Sequence, residues 1–485
     1  MRHAILPALA AGTLFSLPVF AADEAELAAI RAQIAEMKQA YEQRIAALEG
    51  RLAAAEKPQA APVASTSLSP AAPVTSVVPA PRGLPAANAF NPEVSLILQG
   101  QYRDMKNIAE RGRTGFWPAA GHNHAGSGVT PENRRGFTLD HTEVVLSANV
   151  DPNWRGQAIL ALLDGEVEVE EAWFQSLGLG NGLGLKGGRF RSGIGYLNEQ
   201  HPHMWDFAGA PLMYAAMFGG DGSYVQDGVQ FKWLAPTPLW VEFGAEAGRG
   251  ASFPGSERNR NGSGASALFV HLGDDLGVAH SWRAGLSYLA TRAQAREGEG
   301  VSLGLADHAP VTFSGRSQTL IADFVWKWAP DGNPKYRNFK VQGEYFQRRE
   351  RGDLGCYLAA GICDAESAAG AALTGLDTYR RAQSGGYLQA VYQFAPQWRA
   401  GVRYEQLHSG LPTLGAAATA QIDADSPLLR NFRPQRSSAM IDYSWSEFSR
   451  MRLQFAQDKS MQGVTDNQFT LQYIMSLGAH GAHKF

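Results

Sequence analysis

Long apolar runs and surplus charge are both scarce in this sequence, and each shortage removes a class of protein. No apolar run of 18 residues follows the first two dozen, so transmembrane helices are excluded. The formal net charge of −3 leaves no extended basic surface, and nucleic acid is not an expected partner. No Gly-x-Ser-x-Gly elbow and no His-Glu-x-x-His stretch occurs, so no local nucleophile or zinc-hydrolase signature argues for an enzyme, and none is expected. An energy-coupled receptor would need a plug domain of over a hundred residues before a 22-stranded barrel, and residues 22–92 are too few to form one.

What is present starts with export. Arg2 and His3 precede an apolar stretch from Ala4 to Phe20, and Val19-Phe20-Ala21 suits cleavage, so residues 1–21 are expected to be a signal peptide. Residues 22–57 are rich in Ala, Glu, Lys, Arg and Gln, with Leu27, Ile30, Ile34, Met37, Tyr41 and Leu48 at three-to-four spacing. That pattern predicts a coiled-coil helix whose seam drifts near Arg44 and Arg51, and whose marginal stability alone favours self-association. Residues 58–92, rich in Pro, Ala, Ser and Val without period, read as an extended tether.

From residue 93 the chain takes up a two-residue beat. Val94, Leu96, Leu98, Gly100 and Tyr102 alternate with Ser95, Ile97, Gln99, Gln101 and Arg103. The same beat returns in Leu320, Ala322, Phe324, Trp326 and Trp328, then in Trp398, Ala400, Val402 and Tyr404, and again in Met451, Leu453 and Phe455. Soluble sandwiches alternate too, but these segments run to roughly ten residues, the length that crosses a bilayer when tilted. Aromatics at segment ends suit an interfacial girdle. Short links near Pro152, Pro236 and Pro396 alternate with long polar links at 105–135, 292–314, 352–378 and 408–434. The expectation is an all-β membrane protein, an antiparallel transmembrane β-barrel of about 16 strands over residues 93–485, in the outer membrane of a Gram-negative bacterium with the N-terminal helix in the periplasm. Phe485 closes a lipid-facing row (Phe469, Leu471, Tyr473) and looks like the signal such barrels present to the barrel-assembly machinery.

The signal peptide, coiled coil, tether, opening strand, the motif Gly187-Gly188-Arg189-Phe190 and terminal Phe485 together resemble the phosphate-selective porin O/P-like family of trimeric 16-stranded outer-membrane channels. The text from Asn198 to Asp206 and the C-terminal tail resemble more narrowly a branch associated with zinc limitation. The resemblance implies a homotrimer among outer-membrane lipids that passes small polar or ionic solutes by diffusion, without naming the solute. A closed barrel serving as adhesin or scaffold, or a barrel used in zinc acquisition, is the alternative.

Parity places Arg399, Arg403, Arg450 and Arg452 in the lumen as a basic wall, and Glu166, Glu168 and Glu170 as an acidic wall. Arg189 and Arg191 are candidates to join the constriction, with register unsettled by the Gly187-Gly188 pair, which can carry a bulge. Alternation fails between Ile194 and Gly220, which reads as a long loop that either folds into the barrel or caps it outside. His122 with His124, and His201 with His203, put imidazoles two residues apart, a spacing that admits zinc, but no carboxylate cluster or cysteine completes either segment; no other cofactor is expected. Cys356 and Cys363 enclose six residues in an oxidising compartment, and a loop-closing disulfide is expected.

Overall fold

The computed structural model describes residues 92–478, apart from 109–110, 118–133, 164–165, 220–221, 303–309, 359–360, 363–376 and 417–428. The expected leader, coiled coil and tether therefore lie outside the described residues, as do His122, His124, Cys363 with its expected bond to Cys356, and Phe485. Among the described residues no helix is long and apolar enough to cross a membrane.

Sixteen strands form one antiparallel ring. In chain order they are β1 (Glu93–Asp104), β2 (Gly136–Asp151), β3 (Trp154–Leu163), β4 (Glu166–Ser176), β5 (Leu183–Arg191), β6 (Val225–Leu234), β7 (Trp240–Gly248) and β8 (Ala265–Leu276), then β9 (His280–Ser302), β10 (Pro310–Trp328), β11 (Asn338–Leu358), β12 (Asp377–Ala395), β13 (Trp398–His408), β14 (Gln435–Ser446), β15 (Ser449–Lys459) and β16 (Asp466–Gly478). Each pairs with its sequence neighbours, and β1 pairs with both β2 and β16, so no edge is left open. Two-residue strands at Gly361–Ile362 and Thr413–Leu414 extend the ladder at loop bases.

Side chains alternate as the two-residue beat requires. Leu268, Leu388, Val402 and Leu453 stand exposed on the outer face, while Gln99, Gln389, Arg403 and Gln454 are buried inside. Near the tight-turn end the outer rings touch one another, Trp398 with Tyr443, Tyr443 with Trp445 and Trp445 with Tyr473, which makes an aromatic belt. The turns are built from their own residues: Asp151 accepts hydrogen bonds from the backbone N–H of Asn153 and Trp154 at 2.7 and 3.0 Å.

One expected long link is mostly strand and a second begins as strand. β9 runs to Ser302 and β10 begins at Pro310, so only 303–309 remains of the link expected at 292–314, and β11 likewise continues to Leu358. The physical reason is length: β9 has 23 residues and β11 has 21, about twice what crosses a bilayer. Beyond the membrane a strand has no lipid to face and loses its apolar row, so it reads as a polar loop.

The longest described connection is 192–224, between β5 and β6, and it folds into the ring. It carries a 3-10 turn at Pro202–Met204 and a helix, α1 (Leu212–Phe218), all seven of whose residues are buried. Tyr214, Met217 and Phe218 pack in one cluster with Phe269, Ile321 and Phe346 from the inner wall. Apolar residues inside a barrel that is otherwise polar within are thus explained by the loop they cover.

Candidate functional site: the inward loop and its two charged walls

A loop inside a barrel brings backbone N–H and C=O groups away from bulk water, and each needs a partner. The wall supplies them. Asn198 joins the loop's two ends, donating to the Ser192 and Tyr224 carbonyls and accepting from the Tyr224 N–H at 2.6 Å. Glu246 accepts from the Gly193 N–H at 2.8 Å, Glu344 from the Tyr196 N–H at 2.7 Å, and Glu405 from the Leu212 N–H at 2.8 Å.

The expected basic wall lies inside on β13 to β15, and it holds the loop. Arg450 donates to the His203 carbonyl at 2.6 Å, Arg452 to that of Trp205 at 2.8 Å, and Arg403 to that of Gly209 at 3.3 Å. These cations are paired. Asp442 on β14 contacts Arg399 at 2.5 Å and Arg452 at 2.8 Å, with Arg450 at 4.0 Å, while Glu405 contacts Arg403 at 3.4 Å and Arg436 at 2.6 Å. The loop adds Asp206, which meets Lys340 at 2.5 Å and Arg399 at 3.2 Å. Burial opposes the charge of Asp206, but these two cations prevail and hold its carboxyl well below the usual aspartate range.

The opposite wall is more than a row of glutamates. Glu143 of β2 and Glu170 and Glu171 of β4 are buried together with His141 of β2, Arg191 at the end of β5, and His201 and His203 of the loop. Nε2 of His141 lies 3.0 Å from Glu143 Oε1 and 2.8 Å from Glu170 Oε1. Nδ1 of His201 lies 3.2 Å from both Glu143 and Glu170, and its Nε2 lies 2.9 Å from Glu171. His203 approaches Glu143 at 3.3 Å and stacks its ring on that of His201. Arg191 reaches Glu170 at 3.1 Å and Glu171 at 3.6 Å. Burial and Arg191 work against a charged His201, yet the adjacent Glu143 and Glu170 raise its pKa well above the ordinary histidine value.

Two bulges build this cluster. On β2, Gln99 of β1 is opposite His141 and Gly100 is opposite Leu139, so Asp140 is the extra residue. Phe137 and Leu139 point outward, and the bulge turns His141 and Glu143 inward although they share the same odd parity. On β4, Ile159 of β3 is opposite Glu171 and Leu160 is opposite Val169, so Glu170 is extra and both Glu170 and Glu171 face in. Sequence reading missed His141, Glu143 and Glu171 for this reason. The available signal was a pair of polar residues falling in phase with an outward Phe-Leu row.

Of the other expected site residues, Glu168 keeps the inward parity of Glu170 and is half-buried, and Glu166 opens β4. Arg189 departs from the expected constriction. The ladder runs through Gly187-Gly188 without a bulge, with Gly187 opposite Phe174 and Val229, both exposed on the outer face. Arg189, two residues on, shares that outer row and pairs with Asp227 at 2.7 Å. Gly188 has φ +120°, and a Cβ there would meet the Ala172 carbonyl oxygen at 2.2 Å, so close strand approach requires glycine.

No family model matches the chain. Among solved structures, it is similar to OmpT, an outer membrane protein of Vibrio cholerae (TM-score 0.46, 9 % identity, covering 81 % of this chain and 99 % of that one). It is also similar to the outer membrane channel DcaP of Acinetobacter baumannii (0.43, 10 %, 81 % and 99 %) and to an anion-selective porin from Comamonas acidovorans (0.45, 9 %, 80 % and 100 %). The barrel assignment stands on the strand pairing itself. In sequence, an Aquifex aeolicus (strain VF5) protein described as uncharacterized is 30 % identical over 421 residues, which cover 82 % of this chain and 80 % of that protein. At that identity and coverage, the chain belongs to the same family as the Aquifex aeolicus protein.

Proposed function

We propose that the chain is an outer-membrane channel of the porin type through which small polar or ionic solutes diffuse, with loop 192–224 as its constriction and with a preference for anions. The observation that carries this reading is the closed ring with an apolar exterior whose lumen is narrowed by a loop seated on ionic contacts. The resemblance to the phosphate-selective porin-like family is part of the proposal, and from it comes a homotrimer inserted by the barrel-assembly machinery.

Anion preference follows from which charges meet water. On the basic wall Arg399 and Lys340 keep 23 % and 20 % of their side-chain surface exposed, whereas on the other wall Glu143 keeps 0 % and Glu170 6 %. Solutes passing the basic side of the loop therefore meet cations, while Glu143 and Glu170 opposite are covered and engaged by histidines.

Single-channel recording in planar bilayers tests both parts. Expected are discrete conductance steps and, in asymmetric potassium chloride, a reversal potential of the anion-preferring sign. Replacing Arg399 and Arg450 by Gln should lower the anion-to-cation permeability ratio by up to about sixteenfold per charge, since a unit charge about 5 Å from the solute in a water-like dielectric changes the anion and the cation about fourfold each in opposite directions. A barrel without current would be the closed scaffold and would overturn the channel reading.

A further inference from the structure

We propose that His141, Glu143, Glu170 and His201 bind one first-row transition-metal dication, such as zinc, which pins loop 192–224 to β2 and β4. One donor atom from each of the four lies within 4.8 Å of all the others, and all four residues are buried. They come from three separate stretches of chain, two on the wall and one on the loop, so an ion bound among them joins the loop to the ring.

The second observation is that three buried atoms of this cluster lack hydrogen-bond partners, although Glu143 Oε1 and His201 Nδ1 meet each other at 3.2 Å. His141 Nε2 stands close to two carboxylates, yet neither contact has hydrogen-bonding geometry, and Glu143 Oε2 and Glu170 Oε1 are likewise unpartnered. His141 and Glu170 are 7 % exposed and Glu143 0 %, so bulk water does not serve them. A cation bound there satisfies His141 Nε2 and Glu170 Oε1 together.

Charge and orientation agree. Glu143, Glu170 and Glu171 bring three carboxylates into one buried cluster where Arg191 touches Glu170 and Glu171, and the ion-pair partners of Glu143 are His141, His201 and His203. Three buried carboxylates face one arginine there, and a dication adds the positive charge that Arg191 alone does not bring. His201 is already aimed as a ligand: its Nε2 is held by Glu171, which accepts the Trp173 indole N–H at 2.7 Å, and its Nδ1 therefore faces Glu143 and Glu170. A carboxylate behind a ligating imidazole is the usual support of such sites.

Two imidazoles with two carboxylates suit zinc and its neighbours better than magnesium or calcium, which favour all-oxygen shells. The donors stand 2.8 to 3.2 Å apart where they meet. A tetrahedral zinc site spaces donors about 3.4 Å apart, so the close pairs need to spread by a few tenths of an ångström, while the wider pairs, all within 4.8 Å, need to draw in. The inference rests on the seating of the loop and is independent of whether the barrel conducts.

The test uses the full chain folded in detergent, stripped with a chelator and dialysed against zinc, with elemental analysis. One zinc per chain is expected, retained against a hundredfold excess of magnesium. Glu171→Gln should weaken it about 10- to 100-fold, His141→Gln should abolish it, and the pair His122→Ala and His124→Ala should leave it unchanged. Cobalt(II) in the unaltered protein should give the intense visible bands of a four-coordinate ion, a readout that needs no variant to fold. No stoichiometric zinc, the same stoichiometry in His141→Gln, or a cobalt spectrum like that of the aqueous ion would each overturn the site.

Discussion

On β13 to β15 the loop meets guanidinium groups, whose charge is fixed, and their carboxylates answer them one for one or shared, as Asp442 does between Arg399 and Arg452. On β2 and β4 the order is reversed. There the wall brings the carboxylates and the loop brings His201 and His203, whose charge is conditional on a proton or a bound ion. The two walls differ as much in how they are built: strands β13 to β15 alternate without interruption along their length, with register shifts only at the turns, whereas β2 and β4 each carry an internal bulge at the site. A fixed-charge seat arises from plain alternation, and the histidine–glutamate seat needs the backbone to break step.

Deleting Asp140 attacks that difference most severely. Without the extra residue, the alternation of β2 becomes continuous, and either His141 and Glu143 turn to the outer face or Phe137 and Leu139 turn into the lumen. Exposing Glu143 to lipid and stripping the partners from His201 should together cost at least about 3 kcal/mol. The expected result is loss of the heat-resistant folded band on gels and a lowered urea midpoint for unfolding. An Asp140 deletion that folds with unchanged stability would show that the bulge does not set the cluster.

This is also where sequence reading stops. Arg399, Arg403, Arg450 and Arg452 could be assigned to the lumen because each strand shows unbroken apolar partners, Val402 and Tyr404 on one and Leu453 and Phe455 on the other. The closed sixteen-stranded ring was legible for the same reason. His201 and His203 were visible as a pair, but their glutamate partners lie 30 to 60 residues away on strands whose phase changes at one residue. A period of two cannot report its own interruption. Nor can it reveal that β9 and β11 run on past the membrane, since no lipid imposes an apolar row there.

A matched pair of substitutions sharpens the contrast between fixed and conditional charge. Asp442→Asn leaves Arg452, 1 % exposed, without its anion, and a guanidinium cannot relieve this by losing a proton. The expected cost is about 3 to 5 kcal/mol, read from urea unfolding in detergent, with noisier open-channel current as the loop loosens. Glu143→Gln removes an equally buried charge, but its partners are imidazoles that can become neutral, so its cost in metal-free protein should be smaller. Equal costs would mean that the histidines keep their charge as firmly as the arginines do, and the contrast between the walls would fail.

The smallest effect is expected at Arg189, which stands one repeat of the strand from Arg191 but in a different setting. Arg191 is buried against Glu170 and Glu171, whereas Arg189 and Asp227 are 42 % and 45 % exposed on the outer row. An ion pair so accessible contributes about 0 to 1 kcal/mol, because water already solvates both partners. Arg189→Gln should therefore shift the unfolding free energy by less than about 1 kcal/mol and leave the reversal potential where it was. A change in ion preference comparable to that of the Arg399 and Arg450 substitutions would place this guanidinium in the lumen. In that event the ladder through Gly187 and Gly188 would have to slip by one residue, and the acidic cluster would lose the strand register that brings Arg191 to it.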